Sequence, residues 1–198
     1  MNIHTIILAA GEGSRMKSKR AKSLQRVGGK TMLEMICKTA GSISTKITLI
    51  VGFDKNSIIN ESKSFDFEIS TCEQASPIGT GDAVKCGINE VDDADKVLVL
   101  YGDVPLIKKE TLENLVSTDD KSLTILSTKV DNPFGYGRVK KDNDGNVTQI
   151  IEEKDASNED KKIREIFTGI LCCNKVLLEE ALKEIKNDNA AGECYLTD

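Results

Sequence analysis

Several features that would place a protein in a class at once are missing from this 198-residue chain. No apolar run approaches the roughly 18 residues of a membrane-spanning helix, and strand-type residues follow Met1 where a signal peptide would carry its leader. The expectation is a soluble, cytoplasmic protein with no membrane partner. Basic charge is in deficit: 27 Lys and Arg face 32 Asp and Glu, a formal net charge of -5. With both signs interspersed, this argues against a nucleic-acid-binding surface, so any phosphate chemistry must rest on local cations. A single histidine, His4, and six cysteines with no Cys-x-x-Cys spacing give no zinc framework. Reduced, mostly buried thiols are expected, and Cys172 and Cys173, adjacent on one strand, should point to opposite faces. His4 lies within the first apolar run and reads as packing. There is no internal repeat, low-complexity tract or Pro/Gly/Ser linker, and the length suits one α/β domain with at most a small appended lobe.

What the chain does have is alternation. Apolar runs at 3–10, 47–51, 67–72 and 97–101 alternate with helical patterns at 32–40, 56–62 and 82–90, the signature of repeated βαβ units. Such units build a Rossmann-like, open, mostly parallel sheet of buried strands. Right-handed crossovers put helices on both faces, and ligands bind at the strands' carboxyl ends. After 122–130 the pattern changes: 138–141 and 147–151 flank Asp144-Gly145, which predicts a β-hairpin and a small antiparallel lobe. Residues 155–162 read as an exposed loop or short helix, 166–173 as a buried strand and 175–185 as a helix. Thr197-Asp198 has the form of a helix start with no helix after it, so the expectation is a chain cut from a longer one.

The first strand runs into Leu8-Ala9-Ala10-Gly11-Glu12-Gly13-Ser14-Arg15-Met16, with Lys22 beyond. Glycine permits close backbone approach, successive N–H groups form an anion-binding concavity, and Arg15 and Lys22 supply charge: a grip for a nucleotide's phosphates. Two other phosphate motifs are excluded. A dinucleotide fingerprint needs a third glycine where Met16 stands and an acid about 20 positions on, and Asp54 lies too far along. Gly29-Lys30-Thr31 resembles the end of a P-loop, but Leu24 occupies the position of its first glycine, so Lys30 reads as a turn residue before a helix.

Downstream candidates each carry two readings. Asp103, after an apolar run, emerges at the mouth of the sheet, either as a hard oxygen ligand for Mg²⁺ or as a turn aspartate capping the next helix. Gly79-Thr80-Gly81 precedes a helix beginning near Asp82, with Thr80 as its N-cap; it admits a base or ribose, or is simply a well-made helix start. Gln74 offers one donor and one acceptor to a base edge, or is an exposed loop residue. Gly135-Tyr136-Gly137-Arg138 and Glu152 form a second candidate ligand loop beside the charge cluster Glu153, Lys154 and Asp155.

In order and approximate spacing these segments resemble a known family. The opening glycine loop, Lys22, Gln74, Gly79-Thr80-Gly81, Tyr101-Gly102-Asp103-Val104-Pro105-Leu106, Gly135-Tyr136-Gly137-Arg138, Glu152-x-Lys154-Asp155, Thr168-Gly169 and Gly192-Glu193-x-Tyr195-x-Thr197-Asp198 are similar to the N-terminal uridyltransferase domain of the bacterial bifunctional N-acetylglucosamine-1-phosphate uridyltransferase/glucosamine-1-phosphate acetyltransferases. The resemblance covers essentially the whole chain and implies a nucleotide-diphospho-sugar transferase fold. It also implies that Leu8, Ala9, Ala10, Gly11, Gly13, Gln74, Gly79 and Thr80 cradle a uridine nucleotide, with Arg15 and Lys22 as catalytic cations. Asp103 would hold Mg²⁺, Tyr101 and Gly102 would line the substrate site, and Gly137 and Glu152 would contact the amino sugar. The implied reaction joins UTP and N-acetylglucosamine 1-phosphate into UDP-N-acetylglucosamine and pyrophosphate, for cell-wall and lipopolysaccharide precursors.

Three departures stand out. Ala21 occupies a position where the family usually has proline, which predicts a less rigid loop. Phe167 stands where the family has a sugar-contacting asparagine, which predicts that sugar binding is weakened more than nucleotide binding. The family's later segment, with a second metal-ligating asparagine, and its β-helix acetyltransferase domain lie outside these residues. Trimers in the family form mainly through that domain, so a monomer or weak oligomer is expected here. Two alternatives remain: transfer to another sugar 1-phosphate, and a catalytically silent nucleotide-sugar-binding module.

Overall fold

The computed structural model describes residues 1–13, 16–119 and 123–198. In chain order its elements are β1 (Ile3–Leu8), β2 (Arg26–Val27), β3 (Lys30–Thr31), α1 (Met32–Gly41), β4 (Lys46–Val51), α2 (Lys55–Ser62), β5 (Ile69–Glu73), α3 (Thr80–Ile88), β6 (Lys96–Tyr101), α4 (Lys109–Val116), β7 (Thr124–Lys129), β8 (Arg138–Lys141), β9 (Val147–Ile151), β10 (Glu165–Asn174) and α5 (Lys175–Glu184). Every residue of β1 is buried, as a strand must be when helices cover both faces of its sheet.

Strands run in the order β5-β4-β1-β6-β10-β8-β9, with β7 also pairing β10. The β5-β4-β1-β6 half is wholly parallel, so these four strands direct their carboxyl ends to one edge. β10 then pairs antiparallel with β6, β7 and β8, and β8 with β9, which makes the predicted hairpin a continuation of the main sheet. Period-two alternation sorts the core into two layers. Ile7, Leu98 and Leu100 pack with Leu33, Ile36, Ile58 and Leu112 of α1, α2 and α4 on one face. Ile6, Val97 and Val99 pack with Val84, Ile88, Leu178 and Leu182 of α3 and α5 on the other. Cys172 joins the first layer and Cys173 the second, as strand geometry requires. His4 is buried, with Nε2 2.8 Å from the Thr48 hydroxyl. No helix among the described residues is long and apolar enough to cross a membrane.

Some local expectations need correction. β5 is only half-buried because it is the edge strand. Lys30 lies in β3, paired with β2 around Gly28 and Gly29, and Thr31 is the α1 cap, its hydroxyl accepting from the Glu34 N–H at 3.1 Å. α3 begins at Thr80, so its cap position falls on Gly79 and Thr80 is not the N-cap. α4 was not anticipated, because its apolar face is only Leu112, Leu115 and Val116 in a charged stretch. The Ser122 end of the predicted 122–130 strand lies outside the described residues.

Ala21 shows how the loop after β1 is held without a proline. Its φ of -51° and ψ of 143° would suit proline, yet its N–H donates to the Asp54 carboxylate at 3.1 Å. Ala21 and Leu24 are fully buried beside it. Rigidity therefore comes from a charge-assisted hydrogen bond that a pyrrolidine ring would delete. Ala21→Pro should lower stability by about 1 kcal/mol, because the lost bond to a carboxylate outweighs the entropy gained in the unfolded chain. Urea unfolding measures this, and a raised midpoint would show chain entropy to be the larger effect.

Candidate functional site

Two adjoining chambers open where the parallel strands end. The first encloses about 300 Å³ against Leu8, Ala9, Ala10, Gly11, Gly13, Gln74 and Gly79. The second encloses about 710 Å³ against Gly137, Glu152, Phe167, Thr168, Gly169 and Tyr195. Lys22, Thr80, Tyr101, Asp103 and Glu193 line both and form the shared wall. Gly102, expected to line the substrate site, is buried between Tyr101 and Asp103 and lines neither chamber. Of the expected residues only Arg15 is unplaced, since it lies outside the described residues.

In the first chamber the strand ends are tied down. Gly102 N–H donates to the Leu8 carbonyl at 2.9 Å, Ala9 N–H to Ile50 at 2.9 Å, and Phe53 N–H to Ala10 at 3.0 Å. The N–H groups of Gly11, Glu12 and Gly13 have no partner among the described residues, and Gly11 and Gly13 line the cavity. Gln74 is buried, and its amide nitrogen donates to the Gly79 carbonyl at 3.0 Å and the Asp82 carboxylate at 2.7 Å. Those two acceptors determine which way the amide points. Gln74 can thus offer the chamber only its Oε1 acceptor, not the donor and acceptor anticipated.

The wall near α3 is closed by the segment 193–197. Cys194 N–H donates to the Ile78 carbonyl at 2.7 Å and Gly81 N–H to the Cys194 carbonyl at 2.8 Å. The Leu196 N–H donates to the Thr80 hydroxyl at 3.1 Å, which is the role that hydroxyl has in place of capping. Gly79 is obligatory here: its φ is +129°, and a Cβ would fall 2.3 Å from the Cys194 carbonyl oxygen. At its other end the segment reaches the second chamber, where the Thr197 hydroxyl donates to Glu152 Oε1 at 3.0 Å. Glu193, Tyr195 and Thr197 were read from sequence only as part of the resemblance. In the structure all three tyrosines of this aromatic-poor chain, Tyr101, Tyr136 and Tyr195, line the second chamber.

At the junction the Lys22 ammonium lies 2.5 Å from Asp103 Oδ2. Lys22 is the only cationic side chain lining either chamber among the described residues. Asp103 does not cap the next helix, since the cap position of α4 is Lys108. No cluster of three or more His, Cys, Asp or Glu suited to a metal occurs among the described residues. A lone carboxylate at the junction of two open chambers still fits Mg²⁺, which takes one or two carboxylates and completes its shell with phosphate oxygens and water.

The second chamber is acidic and partly desolvated. Burial pushes the Glu152 carboxyl up; the Thr197 hydroxyl opposes this, and Asp198, Asp155 and Glu193 reinforce it. Burial likewise pushes the Tyr101 phenol up to about 12, so it stays neutral. Gly137 faces Glu152 closely, since a Cβ there would lie 3.3 Å from Glu152 Oε1. Gly169, at φ +87°, leaves room for the Tyr101 ring, 2.4 Å from where a Cβ would stand. Phe167 is 7 % exposed, belongs to the core layer beneath, and donates its N–H to the Gly137 carbonyl at 2.9 Å.

Comparison with known proteins agrees with this architecture. The MobA-like NTP transferase domain family matches residues 5–165. "Bifunctional protein GlmU" of Psychrobacter sp. (strain PRwf-1) is 44% identical over 195 residues, covering 98% of this chain and 42% of that protein. The protein of the same name from Clostridioides difficile (strain 630) is 42% identical over 201 residues, covering 100% of this chain and 43% of its own length. That from Methylococcus capsulatus (strain Bath) is 42% identical over 200 residues, with 100% and 43% covered. The chain thus spans less than half the length of the curated relatives it matches, corresponding to their N-terminal part. A parallel sheet whose strand ends meet in a glycine-edged cavity, together with a family match over most of its length, shows that the chain belongs to the MobA-like NTP transferase domain family.

Proposed function

We propose that this chain transfers a uridylyl group from UTP to N-acetylglucosamine 1-phosphate, forming UDP-N-acetylglucosamine and pyrophosphate for cell-envelope precursors. The observation that carries the reading is the meeting of two chambers at Lys22 and Asp103, one edged by unpaired backbone donors and one lined by a desolvated glutamate. The resemblance to the uridyltransferase domain and the identity with the GlmU proteins support the choice of substrates.

The attacking sugar-phosphate oxygen is already ionised, so no general base is required and rate comes from positioning and charge neutralisation. Gln74 Oε1 accepts from the N3–H of uracil; cytosine presents an acceptor at that position and is disfavoured. Gly79 and Thr80 lie along the nucleoside, and the Gly11–Gly13 amides receive phosphate oxygens. Lys22 leaves Asp103 for the α-phosphate and departing pyrophosphate, with Arg15 as a second cation by resemblance. Asp103 would hold Mg²⁺, and the ion would supply further charge neutralisation. Gly137 and Glu152 receive the sugar. Transfer to another sugar 1-phosphate is the second reading, favoured by Phe167, whose ring has no hydrogen bond to offer where the second chamber meets β10.

Pyrophosphate release from UTP and N-acetylglucosamine 1-phosphate with Mg²⁺ tests the reading directly. Lys22→Ala should lower kcat/KM by about 100-fold or more with folding intact; stabilisation by UDP-N-acetylglucosamine without any turnover in the wild type would instead identify a silent binding module. Phe167→Asn should lower the sugar-phosphate KM by about ten-fold and leave that of UTP unchanged, reflecting one restored polar contact. An unchanged sugar-phosphate KM sinks the selectivity role of Phe167.

Glu152 carries a pH signature. Its folded-state pKa is raised, so the folded protein favours the neutral carboxyl; that stability is fully present below the unfolded value and is lost as pH rises through the raised one. Glu152→Gln should therefore melt higher than the wild type at pH 7, converge with it near pH 4, and bind the sugar phosphate more weakly. Thermal unfolding at the two pH values checks this, and equal melting temperatures at pH 7 would show that Glu152 is solvated.

A further inference from the structure

Among the described residues Arg138 is the largest fully buried side chain, and the proposed chemistry leaves it unused. It opens β8 between Ile151 of β9 and Ile166 of β10, and only 2 % of its side chain is exposed. A guanidinium so deeply placed is ordinarily satisfied all round. Here Nε is buried without a partner, while both terminal nitrogens reach toward the chamber loop. One donates to the Tyr136 carbonyl, and the other to Glu153 Oε2 at 2.6 Å. The same Glu153 oxygen accepts the Gly135 N–H at 3.1 Å. Ion pair and loop are thus one unit: the guanidinium grips the carbonyl at one end of the turn, and the carboxylate it holds grips the amide at the other.

The consequence lies in the next peptide. All peptide bonds among the described residues are trans, so a carbonyl at Tyr136 drawn toward Arg138 turns the N–H of Gly137 to the opposite side. That N–H has no partner among the described residues, and Gly137 lines the second chamber close to Glu152 Oε1. A backbone donor and a carboxylate acceptor are therefore presented together. Glu153 is also the immediate neighbour of Glu152, so anchoring one places the backbone of the other.

We propose that Arg138 and Glu153 are a positioning pair that aims the Gly137 amide and sets the 135–137 loop against the polyhydroxylated part of the substrate in the second chamber. This rests on the reading above that the second chamber receives the sugar phosphate. The pair suits placement better than stability, because a buried ion pair leaving one guanidinium donor unsatisfied gains little over an apolar substitute. The Arg138 side chain and the Gly135 amide hold the Glu153 carboxyl below the usual glutamate range, so the clamp stays charged through neutral pH.

Removing Arg138 itself risks unfolding, so the test uses Glu153→Gln, with Glu153→Asp as the variant that keeps the charge. In the ligand-free protein, amide hydrogen exchange at residues 134–137 should become about ten-fold faster in Glu153→Gln, with exchange at 78–82 and 101–103 unchanged. Glu153→Asp should recover part of the protection. In steady state, Glu153→Gln should raise the N-acetylglucosamine 1-phosphate KM by about ten-fold with the UTP KM and kcat little changed. Unchanged exchange at 134–137 overturns the proposal, as does a rise in both KM values together with general loss of protection, which marks a merely structural pair. Should the wild type fail to turn over these substrates, the functional reading fails, and the exchange measurement still decides whether the clamp sets the loop.

Discussion

β1 and β6 lie side by side in parallel with Leu8 opposite Tyr101, and the Gly102 N–H closes on the Leu8 carbonyl just beyond the last pair. Through this register two loops from distant parts of the chain leave the sheet at one point, which is why Lys22 and Asp103, 81 residues apart, come within 2.5 Å. The ion pair is not what holds the edge together. Half-exposed pairs contribute only about 0–1 kcal/mol, whereas each fully buried aliphatic side chain of the neighbouring strands contributes about 1.5–3 kcal/mol. Packing places the two charges; the pair itself remains weak, as the proposed exchange of Asp103 for a phosphate at Lys22 requires.

β10 has the corresponding role for the second chamber. Its last residues belong to the core beside β6 and its first residues carry β8, while β7 pairs along both parts, with a register shift between Phe167 and Leu171. The irregular stretch holds Thr168, whose hydroxyl donates to the Leu126 carbonyl at 2.7 Å, and Gly169, which admits the Tyr101 ring. A break in pairing within an otherwise continuous sheet thus opens the wall of a cavity. The segment 194–197 links the two chambers from the other side, bonded to the start of α3 and to Glu152. The same short segment thus shapes the wall of both chambers.

The βαβ alternation, the Asp144-Gly145 hairpin and the β10 strand were legible because each is written in local periodicity over several residues. The β2–β3 ribbon was not, since two-residue strands have no period to read. Thr80 shows a different limit. Thr between glycines at a helix start looks like a cap, and only the arrival of Leu196, 116 residues later, gives its hydroxyl another partner. Ala21 is the same case in the opposite sense: beside a family proline it reads as lost rigidity, until Asp54 supplies the bond that replaces the ring.

The sequence by itself determined the sheet, its two-sided burial and the glycine-edged loop, because hydrophobic period and turn chemistry act between near neighbours. Only the tertiary structure decided which polar groups of the two chambers are left free. The Gln74 amide hydrogens are committed to Gly79 and Asp82, the Tyr136 carbonyl to Arg138, and the Thr197 hydroxyl to Glu152. A hydrogen bond consumes a donor wherever in the chain its acceptor lies, and Glu152, the partner of Thr197, is brought in by the folded sheet rather than by closeness in sequence.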